Sequence, residues 1–223
     1  MDNSLLALGY LKKYKRLFSD EIFVSCNGFD NESRKDLKHA KYLLNQYETL
    51  ISNCQKCQLS EFRKNFVFGS GDPEADLLLV GEAPGSDEDE KSLPFIGKSG
   101  RLLNKILNAI GLNRYQGVFI LNLLKCRPPK NRDPLPSEIE KCSPYLQEQI
   151  KIIKPKLIVA LGKVAGKYLI GKDLPLKEMR GVTHYYHGIP LIVTYHPAAL
   201  LRNQSLKKPA WDDFKWVKNQ MKV

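Results

Sequence analysis

The feature that most constrains the fold is a set of short, uninterrupted apolar segments that alternate with helical patterns after about residue 60. Four segments have the length and composition of buried strands: 75–81, 117–122, 155–162 and 189–194. Strands that are apolar on both faces are typical of parallel sheets covered by helices on both sides. We therefore predict an α/β fold with three layers, in which helices flank a mainly parallel, four-stranded sheet.

Helical periodicity fills the intervals between these segments. After the first of them, apolar residues recur at the spacing of one helix face: Leu102, Leu103, Ile106, Leu107 and Ile110. The pattern predicts helices over 100–112, 137–153, 163–170 and 211–221. Residues 1–50 carry two further helical patterns without recognisable chemistry. We therefore predict a helical N-terminal extension of unknown role over residues 1–50 and one α/β domain over residues 51–223.

Composition and charge narrow the class of protein. The net charge of +11 attracts polyanions, so a nucleic acid is one interpretation and an ordinary basic surface is the other. The longest apolar runs are too short to span a bilayer. The N-terminus has Asp2 ahead of its apolar stretch and lysines behind it, which is the wrong order for a secretory signal. We expect an intracellular protein, cytoplasmic if the source is bacterial or archaeal, with no membrane partner.

Each predicted strand ends in residues that a core does not require. Glu82 follows the first strand, Asn122 ends the second, Gly162 ends the third and His196 follows the fourth. In such sheets, ligands bind beyond the carboxyl ends of the strands. Taken singly, an asparagine can cap a turn, and a lone histidine is more often structural than catalytic. Together they predict a site that combines an acid, an amide and an imidazole.

The turn after the first predicted strand does not resemble a phosphate-binding loop. It lacks the GxGxxG pattern, Pro84 removes an amide donor, and no P-loop lysine follows. Four acids lie within eight positions and would repel a phosphate bound among them: Glu82, Asp87, Glu88 and Asp89. A carboxylate here better suits an electron-poor sugar or a water nucleophile. Phe95, in the next loop, is either a core residue or a face on which an extruded base stacks.

The cysteine spacing predicts a metal site. The chain has five cysteines, and an odd count without a secretory signal argues against a disulfide framework. Cys54 and Cys57 form a CxxC pair, and Cys126 and Cys142 complete four ligands for either Zn²⁺ or a [4Fe–4S] cluster. The wide spacing of the last two favours iron–sulfur. Cys26 is the predicted free thiol.

Three motifs follow the CxxC pair in the order found in one family: GEAPGSDEDEKSLPFIGKSGRLL, NLLKCRPPKNRDPLPSEIEKC and YHPAALLR. They resemble the family 4 uracil-DNA glycosylases, the iron–sulfur type of the uracil-DNA glycosylase superfamily. The resemblance covers roughly residues 50–215. It implies a monofunctional enzyme that hydrolyses the N-glycosidic bond of uracil in DNA and initiates base-excision repair. The expected partner is uracil-containing DNA, single- or double-stranded, and the expected state is a monomer.

The resemblance also implies residue roles. By this resemblance, the catalytic residues of the chain are Glu82, Asn122 and His196. These also bind uracil, together with Ala83 at the pocket floor and Phe95 as the stacking face. Its DNA contacts are Lys98, Ser99, Leu200, Leu201 and Arg202. Its cofactor is a structural [4Fe–4S] cluster on Cys54, Cys57, Cys126 and Cys142.

Two other functions fit parts of this pattern. A basic protein with a four-cysteine metal site could bind damaged or single-stranded DNA without cleaving it. The convergence of Glu82, Asn122 and His196 argues against a pure binding module, since an acid beside a negatively charged strand would weaken binding. An enzyme of the same fold could prefer another deaminated base, such as hypoxanthine or xanthine. A nucleotide-dependent oxidoreductase ranks behind both, because no phosphate-binding glycine pattern is present.

Overall fold

The structure, a computed structural model, describes residues 35–222, with side chains from residue 39 onward. Backbone contacts group Asp36–Val223 as one compact unit. Helix α1 (Lys35–Ile51) belongs to it, and its Leu44 and Tyr47 are buried. The predicted division of the chain at residue 51 stays a prediction. Tyr47 makes edge-on ring contacts with Phe68 and Tyr145. Residues 1–34, with the first predicted helix and Cys26, lie outside the described residues.

The remaining elements alternate between strands and helices. In chain order they are α2 (Leu59–Phe62), β1 (Ser70–Gly71), β2 (Leu77–Gly81), α3 (Ser86–Lys91), α4 (Lys98–Ala109), β3 (Val118–Asn122), α5 (Pro136–Ile153), β4 (Leu157–Leu161), α6 (Lys163–Ile170), α7 (Leu176–Met179), β5 (His184–Tyr186), β6 (Ile189–Thr194), α8 (Pro197–Arg202) and α9 (Lys207–Met221). Short 3₁₀ turns lie at Pro129–Asn131 and Gln204–Leu206. None of the described helices is long and apolar enough to cross a membrane.

The described residues form one six-stranded sheet with the order β1-β3-β2-β4-β6-β5. The four predicted strands, β2, β3, β4 and β6, pair in parallel at its centre. This confirms the α/β class and the mainly parallel sheet. The predicted strand number was too low, because β1 and β5 add antiparallel edges.

The edge strands are too short for sequence periodicity to reveal them. β1 has two residues and β5 has three. A Cβ on Gly71 would lie 2.2 Å from the Val118 carbonyl oxygen, so the β1 pairing requires glycine there. Between β5 and β6, His187 and Gly188 have φ values of 49° and 84°. Two successive positive φ values are typical of the type I′ turn, which matches the twist of a tight hairpin.

Apolar layers cover both faces of the sheet. On one face, Leu77 and Leu79 of β2 join a buried cluster with Leu103 of α4 and Phe214 of α9. Side chains alternate along a strand, so the intervening residues point to the opposite face. On that face α6 lies close to the sheet, since a Cβ on its Gly166 would lie 2.8 Å from a methyl group of Val193. The predicted three-layer arrangement is therefore confirmed.

The strand order reverses direction at β2. β2 lies between β3 and β4, so the chain leaves it first to one side and later to the other. A ligand site is expected beyond the carboxyl ends of the strands at such a reversal. Gly81 pairs with Asn122 at this end, and Leu161 pairs with Thr194. The sheet register therefore places the four predicted strand-end residues along a single edge.

Candidate active site

Two glycines allow the strand-end side chains to approach one another. A Cβ on Gly81 would lie 2.3 Å from Oδ1 of Asn122 and 2.6 Å from the Phe95 ring. The ring centroids of Phe95 and His196 are 5.4 Å apart, with an interplanar angle of 36°. A Cβ on Gly162 would lie 3.1 Å from Cβ of His196. The structure thus brings Asn122, Phe95 and His196 together.

Asn122 presents an unused hydrogen-bond acceptor. Its side chain is 2% exposed, and its buried Oδ1 accepts no hydrogen bond from any residue that the structure describes. A buried polar atom without a partner costs about 1–3 kcal/mol. Such an atom at the carboxyl end of β3 is therefore available to accept a donor from a ligand.

His196 is held as a neutral hydrogen-bond donor. Its Nδ1 accepts the Ala198 backbone N–H at 3.1 Å, at the start of α8. Burial lowers the pKa of His196 to about 4, and the positive charge of Arg202 contributes in the same direction. At neutral pH the ring therefore carries its proton on Nε2, because Nδ1 is occupied as an acceptor.

Glu82 carries the only large carboxyl pKa change among the described residues. It is half-buried and follows β2 directly, with Ala83 half-buried beside it. Burial raises the pKa of Glu82 to about 7, and the negative charge of Asp133 adds to the effect. A carboxyl group whose pKa is raised to near neutrality is characteristic of functional sites.

The other acids of this segment have different environments. Glu88 accepts backbone N–H groups at 3.0–3.1 Å from three residues: Gly85, Ile96 and Gly97. Asp89 accepts the backbone N–H groups of Lys64 at 2.9 Å and Asn65 at 3.2 Å. Both side chains are buried, whereas Asp87 is exposed. Two of the four acids therefore fix loops and are not available to a ligand.

The predicted DNA contacts lie on two adjacent helices. Lys98 is exposed and Ser99 half-buried in the first turn of α4, which contacts α8. On α8, Leu201 is 47% exposed and Arg202 is exposed. Leu200 is only 2% exposed. It lines an apolar groove with residues of α4 and α9, so it anchors α8 while its neighbours remain accessible.

All four predicted metal ligands line one cavity. Cys54 and Cys57 lie between α1 and α2, Cys126 follows β3, and Cys142 lies within α5. Each of the four is a free thiol. The fold thus unites side chains that are up to 88 positions apart in the sequence (142 − 54).

Hydrogen-bond donors surround the sulfur atoms. Arg63 donates to Sγ of Cys126 at 3.0 Å, and the Tyr145 hydroxyl donates to Sγ of Cys54 at 3.1 Å. The backbone N–H of Lys125 donates to Sγ of Cys142 at 3.3 Å. Donors to thiolate sulfurs are the environment in which iron–sulfur clusters are held and tuned. The residues present therefore fit a cluster with four thiolate ligands.

Lys125 links the cysteine cavity to the strand-end site, and sequence reasoning missed it. Its side chain is 0% exposed, and its Nζ donates to the Asn122 carbonyl oxygen at 2.8 Å. Its backbone N–H donates a hydrogen bond to Sγ of Cys142. Lysine is rarely fully buried, so sequence statistics favour the surface. The sequence does contain one signal for Lys125. It lies between Asn122, at the end of a strand, and Cys126, a candidate metal ligand.

Comparisons with known proteins identify the family to which the chain is similar. The family model described as the uracil DNA glycosylase superfamily matches residues 68–215. The chain is similar to the type-4 uracil-DNA glycosylase of Sulfurisphaera tokodaii, with 46% identity over 75% of this chain and 80% of the relative. Similar enzymes of Saccharolobus solfataricus and Archaeoglobus fulgidus are 45% and 43% identical over 77% and 75% of this chain, and over 83% and 87% of their own lengths.

Proposed function

Because this chain belongs to the uracil DNA glycosylase superfamily, we propose that it excises uracil from DNA and initiates base-excision repair. The observation that carries the proposal is the meeting of the unused Asn122 acceptor with the neutral His196 donor beside Phe95. A DNA substrate also supports the predicted intracellular location. The net charge of +11 supports binding to a polyanion.

Uracil recognition follows from these groups. An enzyme that acts on a base must extrude it from the stack, and an aromatic face then holds it. Phe95 is 4% exposed and lies against Gly81 and His196, which suits that role. Oδ1 of Asn122 accepts the N3–H of uracil, and its amide nitrogen donates to O4. Ala83 adds a small side chain at the pocket floor.

Bond cleavage separates charge, and the site matches that charge. When the N1–C1′ bond breaks, its electron pair remains on uracil, which becomes an anion, and the deoxyribose becomes an oxocarbenium-like cation. The Nε2–H of His196 donates to O2 and Asn122 donates to O4, so both stabilise a charge that develops only in the transition state. The ionised carboxylate of Glu82 stabilises the cationic sugar and orients a water molecule. The water oxygen adds to C1′, and one water proton passes to the Glu82 carboxylate.

The proposal assigns Cys54, Cys57, Cys126 and Cys142 to a [4Fe–4S] cluster. Support comes from their common cavity and the donors to three of the four sulfurs. When bound, the cluster supplies a structural cross-link between the segment before α2, the segment after β3 and α5. The residues that cleave the bond act without it.

DNA contacts complete the proposal. Lys98 and Ser99 hold the backbone beside the flipped nucleotide, and Leu201 and Arg202 contact the duplex from α8. Leu200, the other predicted DNA contact on α8, is buried and lines the groove against α4, so in this proposal it supports the helix that carries Leu201 and Arg202.

A glycosylase assay tests the function directly. Purified protein is incubated with a labelled oligonucleotide that contains one uracil, and alkali then cuts any abasic site. We expect cleavage at uracil, release of free uracil, and no cleavage of a matched thymine oligonucleotide. Tight binding without release would instead support the DNA-binding module, and cleavage only at hypoxanthine would support a different base preference.

A further inference from the structure

This inference rests on the proposed function, in which Phe95 is the face that stacks on the flipped base. Phe95 has a φ of 51°, in the left-handed region that bulky side chains rarely occupy. A residue persists in such a conformation only where its surroundings over-determine it. The contacts that hold the Phe95 backbone therefore decide where its ring lies.

The carbonyl side of this loop is bound by a buried arginine. Arg114 is 7% exposed, and its Nη1 donates to the Phe95 carbonyl oxygen at 2.8 Å. Its Nη2 donates to the Pro94 carbonyl oxygen at 2.8 Å. Ser70 of β1 accepts a further bond from Nη2 at 3.2 Å, which anchors the guanidinium to the sheet edge.

The amide side of the loop is bound by a buried carboxylate. Oε1 of Glu88 accepts the backbone N–H groups of Ile96 and Gly97, each at 3.0 Å. The first turn of α4 closes the third side, because a Cβ on Gly100 would lie 1.9 Å from the Phe95 carbonyl oxygen. The backbone around Phe95 is thus held from two sides. The guanidinium of Arg114 binds the carbonyl groups before and at Phe95, and the carboxylate of Glu88 binds the two backbone N–H groups that follow it.

We propose that Arg114 and Glu88 are positioning residues that hold the strained Phe95 backbone, and so keep its ring in the uracil pocket beside Asn122 and His196. Neither residue touches the base; each acts through the peptide groups around Phe95.

Arg114→Met tests the proposal because it keeps an unbranched apolar side chain and removes the guanidinium. We expect the single-turnover rate on uracil DNA to fall about 10²-fold, the loss that a displacement of about 1 Å can cause. The affinity for an uncleaved thymine duplex should stay unchanged. Arg114→Lys keeps one donor and should recover part of the rate.

Leu169→Ala is the matched control, since Leu169 is buried in α6 with 3% exposure. It should lower the melting temperature but keep the wild-type rate below that temperature. If Leu169→Ala and Arg114→Met lower the rate of the folded protein equally, Arg114 is merely structural and the proposal is overturned.

A double-mutant cycle with Phe95→Leu, which keeps apolar volume and removes the aromatic face, tests whether Arg114 acts through Phe95. Adding Arg114→Met to Phe95→Leu should cause little further loss, because groups that act as one unit are not additive. Losses that multiply would overturn the proposal, as would a wild-type rate for Arg114→Met alone. A wild-type protein that releases no uracil would instead contradict the proposed function, and this role with it.

Discussion

At the residue scale, burial moves the pKa values of the two titratable site residues in opposite directions. Loss of solvation disfavours the charged form of each, so the pKa of Glu82 rises to about 7 and that of His196 falls to about 4. His196 therefore stays neutral throughout the neutral range, where it can donate from Nε2. Glu82 changes its charge within that range.

The pH dependence of the reaction should therefore follow Glu82. If ionised Glu82 is required, the single-turnover rate rises as pH increases through about 7 and levels off above it, since the group is protonated below its pKa. Glu82→Gln should lower the plateau about 10²-fold, by analogy with loss of one group that stabilises transition-state charge. It should also remove the rise, as single-turnover rates from about pH 5 to about pH 9 would reveal. A flat wild-type profile would contradict this role.

Gly81 also determines the geometry of the site, because two site residues pack against it. Alanine there would place its Cβ within 2.6 Å of both Oδ1 of Asn122 and the Phe95 ring, so one of them must move. We expect Gly81→Ala to lower the single-turnover rate by about 10²-fold through misplacement of Asn122. The control is Gly188→Ala in the β5–β6 turn, where a Cβ meets nothing within 4 Å but φ is +84°. That variant should lose stability and keep its rate; equal rates for both variants would exclude the steric argument.

At the element scale, the site depends on how β6 joins α8. Arg180 donates to both carboxylate oxygens of Asp213 on α9, at 2.9–3.0 Å, and its guanidinium lies 4.2 Å from the centroid of the Tyr195 ring. Asp213 also accepts the hydroxyl of Thr194 at 2.5 Å. Thr194 and Tyr195, the two residues before His196, are therefore held by Asp213 and Arg180, which restrains the backbone that carries the imidazole.

The cysteine cavity joins three separate parts of the fold. Substitution of one of its cysteines should therefore both abolish metal binding and destabilise the protein. Cys142→Ala should abolish bound iron, acid-labile sulfide and brown colour, and should lower the melting temperature, because cluster ligation is coupled to folding. Cys26→Ala is the control, since Cys26 is the predicted free thiol and should be dispensable for iron. Iron and zinc analysis of protein prepared without oxygen measures the outcome. A colourless wild-type protein with one bound zinc ion would contradict the cluster.

At the scale of the whole molecule, the positive charge should govern DNA affinity. A protein that neutralises phosphates releases counterions, so its affinity falls as salt rises. Arg202 is exposed at the end of α8. Arg202→Ala should weaken binding to all sequences alike and reduce the slope of log affinity against log salt by about 1. Fluorescence anisotropy across a salt series measures this. An unchanged slope would show that Arg202 does not contact the phosphates. The control is Lys222→Ala, at the end of α9, because Lys222 lies outside the proposed DNA contacts.

Much of the architecture and part of the site could be predicted from the sequence. Buried parallel strands have a composition that is visible locally, so β2, β3, β4 and β6 were found, and the chain order of strands and helices implied the common edge of Glu82, Asn122 and His196. The comparisons confirm the family that the three motifs predicted. The edge strands were missed because two or three residues carry no period.

The protonation and hydrogen-bonding states of these groups could not be predicted from the sequence. The neutral His196, the raised pKa of Glu82 and the unused Oδ1 of Asn122 depend on burial by segments that are distant in the chain. The same holds for Arg114 and Lys125, whose charges resemble any surface cation in the sequence. Local patterns of residues therefore predict which groups reach the edge of the sheet. Desolvation and hydrogen bonding between remote segments determined what those groups can do there.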